Sequence, residues 1–158
     1  MDQKYTRRGF SLQLISFGLF KFIPSKYLNT MEAKGITIRK SKYAVKETID
    51  SIQSFLQQHG ATVYARINQQ AEVNNAGGQL LPLEFILFGN PAAGGLLMRN
   101  NSLVALDLPL KVIAWEDDKQ NVWLAYNEGS YIEERYTLPH QQDSPLYLDQ
   151  LIDMVFKA

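Results

Sequence analysis

The sequence contains no cysteine. That excludes disulfides, thiolate metal sites, iron–sulfur clusters and cysteine nucleophiles. It leaves the redox compartment undecided, because a protein without thiols is indifferent to it. Only two histidines occur, so one chain cannot form a three-histidine metal centre. There is no excess of either charge: 16 Lys and Arg balance 16 Asp and Glu. A dedicated nucleic-acid binder normally carries a basic surplus, so no nucleic-acid partner is expected. No metal and no cofactor is called for by any motif.

What is present is ordinary globular material. The chain has 158 residues, 46% hydrophobic and 20% charged, which is too apolar for a disordered chain and long enough for one domain. Such a length buries roughly two-thirds of its unfolded surface. Composition alone does not decide whether the chain is an enzyme.

Residues 1–30 differ from the rest. Lys4, Arg7 and Arg8 make a basic start, followed by a mostly apolar stretch from Gly9 to Ile23. Thr6-Arg7-Arg8-Gly9-Phe10 resembles a twin-arginine export signature, an address read by a receptor rather than a fold element. The stretch is short and interrupted for a membrane span. Three readings stand: an export leader that acts as a weak anchor, an upstream extension with Met31 as the true start, and a surface-docked amphipathic helix. The first implies a periplasmic or membrane-associated protein that touches the membrane only through residues 1–30. The second implies a cytoplasmic accessory protein. In each case residues 31–158 form the globular domain.

That domain reads as strand, helix, four strands, helix. Ile36 and Ile38 alternate with Thr37 and Arg39 in a half-buried strand. Val45, Ile49, Ile52, Phe55 and Leu56 mark one face of a helix that Gly60 ends. Ala44 stands where a capping hydroxyl would pair with Glu47, so half of a capping box is missing. Ala61 to Ile67 is a strand with Val63, Ala65 and Ile67 inward. Residues 68–82 are polar loop with a short helix around 71–76. Leu83 to Phe88 is almost continuously apolar, which predicts a central strand covered on both faces. Asn90 and Pro91 suit the N-cap and first turn of a short helix. Strands follow over 108–115 and 121–126, joined by a turn at 117–120. Ser130 and Glu133 form a capping box for a short helix that Pro139 stops. Ser144-Pro145 starts the last helix, with Leu148, Leu151, Ile152 and Val155 as its stripe.

The blocks Phe88-Gly89-Asn90-Pro91, Asp107 to Val112, Trp115-Glu116-Asp117 and Tyr126-Asn127 resemble the family called domain of unknown function 302, over about residues 33–138. The resemblance implies an α+β fold like that of the TATA-box-binding protein: one curved, mostly antiparallel sheet with short extra helices. It implies no activity. Gln69 and Arg135-Tyr136 stand where many members carry histidines, so any histidine-based role is not carried over.

Candidate chemistry is sparse. Gly89 to Gly95 mimics a phosphate loop, but Gly95 and Leu96 replace its lysine and hydroxyl residue. A helix start at Asn90 still offers backbone N–H groups to an anion. Lys111 shares a strand face with Ile113 and Trp115; it is either a desolvated amine beside a pocket or a rim lysine with a wet ammonium. Glu116 to Asp118 is an acidic hairpin tip. Arg135 could hold an anion or pair with Glu116 or Asp107. Tyr64, Trp115, Trp123 and Tyr126 could line an apolar pocket. No Ser–His–Asp order and no nucleophile elbow occurs. The expected ligand-binding set is Asn90, Lys111, Trp115, Tyr126 and Arg135. One sheet with two main helices covers one face well, so the second face is expected to take a small apolar or anionic ligand or a like subunit. The alternative is an enzyme with Lys111, Glu116, Tyr126 and Arg135 converging in one cleft.

Overall fold

In the computed structural model, residues 33–141 and 144–157 are described. The leader reading of residues 1–30 lies outside them. The chain runs β1 (Ile36–Ser41), α1 (Val45–Gln58), β2 (Thr62–Asn68), α2 (Gln69–Asn75), β3 (Leu83–Gly89), α3 (Pro91–Asn100), a 3-10 turn (Ser102–Leu106), β4 (Leu110–Glu116), β5 (Val122–Asn127), α4 (Gly129–Tyr136) and α5 (Asp149–Lys157). The strands form one open antiparallel sheet in the order β1-β5-β4-β3-β2. This is the α+β architecture expected from the sequence, extra helices included.

The core lies on one side of the sheet. Ile86 and Phe88 of β3, Val112 and Ala114 of β4, and Leu124 and Tyr126 of β5 point to that side. They meet Val45, Ile49, Ile52 and Leu56 of α1 and Ile152 of α5. Arginines close the rim at both edge strands. Arg39 of β1 reaches Asp149 and Asp153 of α5. Arg66 of β2 reaches Asp50 of α1 and Glu84 of β3.

Helix ends follow local chemistry. The Asn90 side chain accepts from Ala92 N at 2.9 Å and Ala93 N at 3.2 Å, and Pro91 opens α3. Ala44 keeps the half of the capping box that its backbone allows, donating to Glu47 at 3.4 Å. Gly60 has φ +71, the left-handed residue after the α1 C-cap.

Four local expectations change. A bulge at Tyr64, between Val63 and Ala65, reverses the phase of β2. Val63 and Arg66 therefore face the core side, while Ala65 and Ile67 face the other. β3 is interior to the sheet, but the described residues cover one of its faces only; Leu83, Phe85 and Leu87 stay half-buried. Continuous hydrophobicity there reflects two different environments. Ser130 is not the cap of α4, whose N-cap is Glu128, two residues earlier. Ser144 and Pro145 sit in a turn, and α5 begins at Asp149. Leu148 is buried just ahead of α5, and its spacing to Leu151 and Ile152 is helical, so the apolar stripe begins before the helix does.

Candidate functional site

The second sheet face is where side chains remain available. Register places Ile38, Ala125, Ile113, Phe85 and Ile67 side by side, one from each strand, in a row across the whole sheet. A second row runs Lys40, Trp123, Trp115, Leu83. Of these side chains Ala125 is buried, and the others lie outside the hydrophobic core. Both tryptophans of the chain lie here, paired across β4 and β5.

Two hollows flank the Leu108-Pro109 segment, whose peptide bond is cis. The first, of about 290 Å³, is aliphatic, with Leu97, Met98, Leu108, Leu110 and Leu146 as walls and Tyr64 and Asn90 among its lining. The second, of about 330 Å³, lies on the second face. Ile36, Leu87 and Ile113 form its apolar part, and Asp107, Lys111 and Asn127 its polar part. The block from Asp107 to Lys111, recognised in the sequence, forms the wall between the two.

Asp107 organises the polar end. Its Oδ2 accepts from the Tyr136 hydroxyl at 2.6 Å and from Arg135 at 3.4 Å. Its Oδ1 lies 3.5 Å from the Asn127 amide nitrogen, the limit of a hydrogen bond. The Asp107 carboxylate raises the Tyr136 hydroxyl's pKa by accepting its proton's hydrogen bond, with burial adding to it. Arg135 also lies over the Tyr136 ring, 5.3 Å from the centroid. The pairing of Arg135 with Asp107, one of the two partners expected, is the one that forms.

The five expected ligand residues are brought together only in part: Lys111 and Tyr126 line the second hollow and Asn90 the first. Lys111 and Trp115 share the second face. Lys111 is exposed, its ammonium 5.4 Å from the Phe85 ring centroid, a rim lysine with its charge in solvent. Arg135 reaches the second hollow through Asp107. Asn90 lines the first hollow with its side-chain oxygen committed to the helix cap. Tyr126 points to the core side, where its hydroxyl donates to Asp149 at 2.7 Å. Burial, followed by that carboxylate, pushes its pKa well above the usual phenol range. Glu116 alternates with Trp115 and so shares the core side with Tyr126. Of the four residues of the enzyme alternative, Lys111 and Tyr126 both line the second hollow, although register directs their side chains to opposite faces and the Tyr126 hydroxyl is committed to Asp149. Asn127, Leu87 and Ile36 also line the hollow and were absent from the expected set. Strand parity was the signal for them, and it needed the pairing register to be read.

A second polar cluster lies on α4. Glu133 is buried, and its Oε2 accepts from the Tyr147 hydroxyl at 2.8 Å and from His140 at 3.0 Å. Its Oε1 is buried without a hydrogen-bond partner. Burial raises its pKa, but the hydrogen bonds from His140 and Tyr147 outweigh this and leave it below the ordinary value. At the β4–β5 turn, Asp117 accepts from Trp123 Nε1 at 2.9 Å, and that bond leads the causes that lower its pKa to about 2. Among the described residues no group of three or more His, Asp or Glu is placed to hold a metal ion.

The model of the family described as domain of unknown function DUF302 matches residues 37–155, nearly all of the fold above. This chain belongs to the DUF302 family. A crystal structure of an uncharacterized conserved DUF302 protein from Bacillus stearothermophilus superposes with a TM-score of 0.59 at 15% identity, covering 78% of this chain and 88% of that one. That likeness concerns the fold. Two curated relatives are 35% identical over 109 residues, 69% of this chain: the fluoride-specific ion channel FluC 1 of Brucella suis biovar 1 and its namesake in Brucella abortus biovar 1. This DUF302 chain spans 43% and 40% of their lengths, less than half in each case.

Proposed function

We propose that this DUF302 domain is a non-catalytic binding module that receives a small molecule on its second sheet face. The observation that carries the reading is the apolar row across all five strands, next to a 330 Å³ hollow and outside the core. Concave, mainly apolar sites with a few polar groups at one end are the usual form of small-molecule sites. The groups that could do acid–base work are divided between the two faces, which favours binding over catalysis.

Trp115 and Trp123 supply the assay. A molecule settling on this face changes their emission, and no other tryptophan contributes background. Intrinsic fluorescence of the full chain, titrated with small apolar and amphipathic compounds, should saturate. It should stop responding in Ile113→Asp, which places a charge in the centre of the row. Unchanged emission across such a panel, with no co-purified molecule in native mass spectra, overturns the reading.

The width of the row favours one further reading: two copies pairing through this face about a two-fold axis. Sedimentation at micromolar concentration tests it, and a strict monomer refutes it. The leader supports an envelope location. Relatives named as ion channels fit a domain that works beside a membrane.

A further inference from the structure

The hollow on the second face has a polarity that the binding reading leaves unspecified. Cations of the sheet fall into two groups. On the core side, Arg39 and Arg66 are engaged by carboxylates of α5, α1 and β3. On the second face, the strands contribute two lysines, Lys40 and Lys111, and no Asp or Glu. Lys40 hydrogen-bonds the Asn121 side chain at 2.8 Å. Among the described residues, no carboxylate pairs with Lys111, which stands over the Phe85 ring at the edge of the hollow.

The one acid of the hollow is already compensated. Asp107 is held by the Tyr136 hydroxyl and by the Arg135 guanidinium. With Arg135 against Asp107, the polar end has one cation left over, that of Lys111. Asn127 adds an amide whose contact with Asp107 is at the 3.5 Å limit, so its N–H₂ is available to a second acceptor. Beside an apolar wall that displaces water, an uncompensated ammonium attracts an anion more strongly than it does in open solvent.

We infer that the hollow binds a small amphipathic anion, an aliphatic or aromatic body with one carboxylate or phosphate. The head pairs with Lys111 and is assisted by the Asn127 amide. The body lies on Leu87, Ile113 and Ile36. This inference rests on the binding-module reading and narrows it to one ligand class.

Octanoate, octanamide and octylamine present one tail with an anionic, a neutral and a cationic head. Titrated into the full chain under tryptophan fluorescence, octanoate should bind at least about tenfold more tightly than octanamide, and octylamine most weakly. Lys111→Met should bring octanoate to the level of octanamide, while Lys111→Arg restores most of the difference. The exposed position of Lys111 lets each variant fold, which far-ultraviolet circular dichroism checks. Equal binding of all three probes, abolished by Ile113→Asp, would sink the anion while leaving a binding face. No response to any probe would sink both. Sedimentation with phosphatidylglycerol vesicles separates a free amphiphile from a bilayer headgroup: the inference expects the protein to stay in solution. Vesicle binding lost in Lys111→Met would assign the anion to lipid and overturn it.

Discussion

Replacing Asp107 with Asn should move stability and anion affinity in opposite directions. The Asp107 side chain is 16% exposed and takes the Tyr136 hydroxyl at 2.6 Å, a short bond to a charged acceptor. Such bonds contribute about 1.5–3 kcal/mol, against about 0.5–1.5 for neutral pairs. Asparagine keeps an oxygen for Tyr136, so the loss is the charged-minus-neutral difference, roughly 1–1.5 kcal/mol. Arg135 adds little, because it is half exposed and 3.4 Å away; surface pairs contribute about 0–1 kcal/mol. The expected cost is about 1–2 kcal/mol, a fall in melting temperature of several degrees for a domain of this size. Urea denaturation of Asp107→Asn, Tyr136→Phe and the double variant should give a coupling of about 1 kcal/mol or more. The same substitution removes a negative charge beside Lys111, so octanoate should bind roughly twofold or more tightly at low ionic strength. Additive single effects, within about 0.5 kcal/mol, would refute the bond's role. Weakened octanoate binding would refute the charge argument.

Gly35→Ala should cost about 2–5 kcal/mol, since φ is +74 and the new Cβ would fall 2.1 Å from Cγ of Tyr131. Gly60→Ala, with a similar φ of +71 and nothing within 4 Å, should cost about 1–2 kcal/mol by urea denaturation. Equal costs would contradict the close packing at Gly35. Glu133 titrates below its ordinary value near 4.5, so its contribution is complete above that pH and is lost as pH falls through its lowered folded value. The stability gap between wild type and Glu133→Gln, about 1–3 kcal/mol at pH 7, should therefore narrow as the pH falls below the ordinary carboxylate range. A gap independent of pH would show that the charge is not what Tyr147 and His140 hold.

Much of the fold was legible because several signals agreed locally. Asn90 with Pro91 set the start of α3, Gly60 the end of α1, and alternation set the faces of β1 and β4. Lys111, Ile113 and Trp115 were placed on one face by alternation alone, and they stayed there. Phase was lost at β2, because a bulge adds a residue without any compositional mark; Tyr64 is as good a strand residue as its neighbours. The box at Ser130 failed for a tertiary reason. A Cβ on Gly129 would approach the Leu146 carbonyl oxygen to 2.9 Å, so only glycine lets the first turn of α4 pack against that segment, and Glu133 is held by Tyr147 and His140 instead of by a cap. The aromatic character of Tyr126 fits a pocket wall and a core equally well, and Tyr126 takes both places, lining the second hollow while its hydroxyl reaches Asp149 on the core side. Only register shows which face it takes.

The same register explains why contact through the second face is more plausible physically than contact through the sheet's edges. An edge strand offers unpaired backbone groups to any passing strand, and two devices discourage that here. β1 carries Lys40, with Lys34 and Lys42 close by, so two copies meeting at this edge would bring like charges together. β2 is bulged at Tyr64, which breaks the regular spacing that a partner strand would need. Backbone-mediated association is thus opposed at both edges, by charge at one and by geometry at the other. The second face has no comparable protection along its central row, where Ile38, Ala125, Ile113, Phe85 and Ile67 carry no charge. Its cations stand to either side of that row, at Lys40 and Lys111. An apolar body fits the row, and an anionic group at one end of it meets a lysine without displacing any carboxylate among the described residues. A cationic partner on this face would instead be repelled by Lys40 and Lys111.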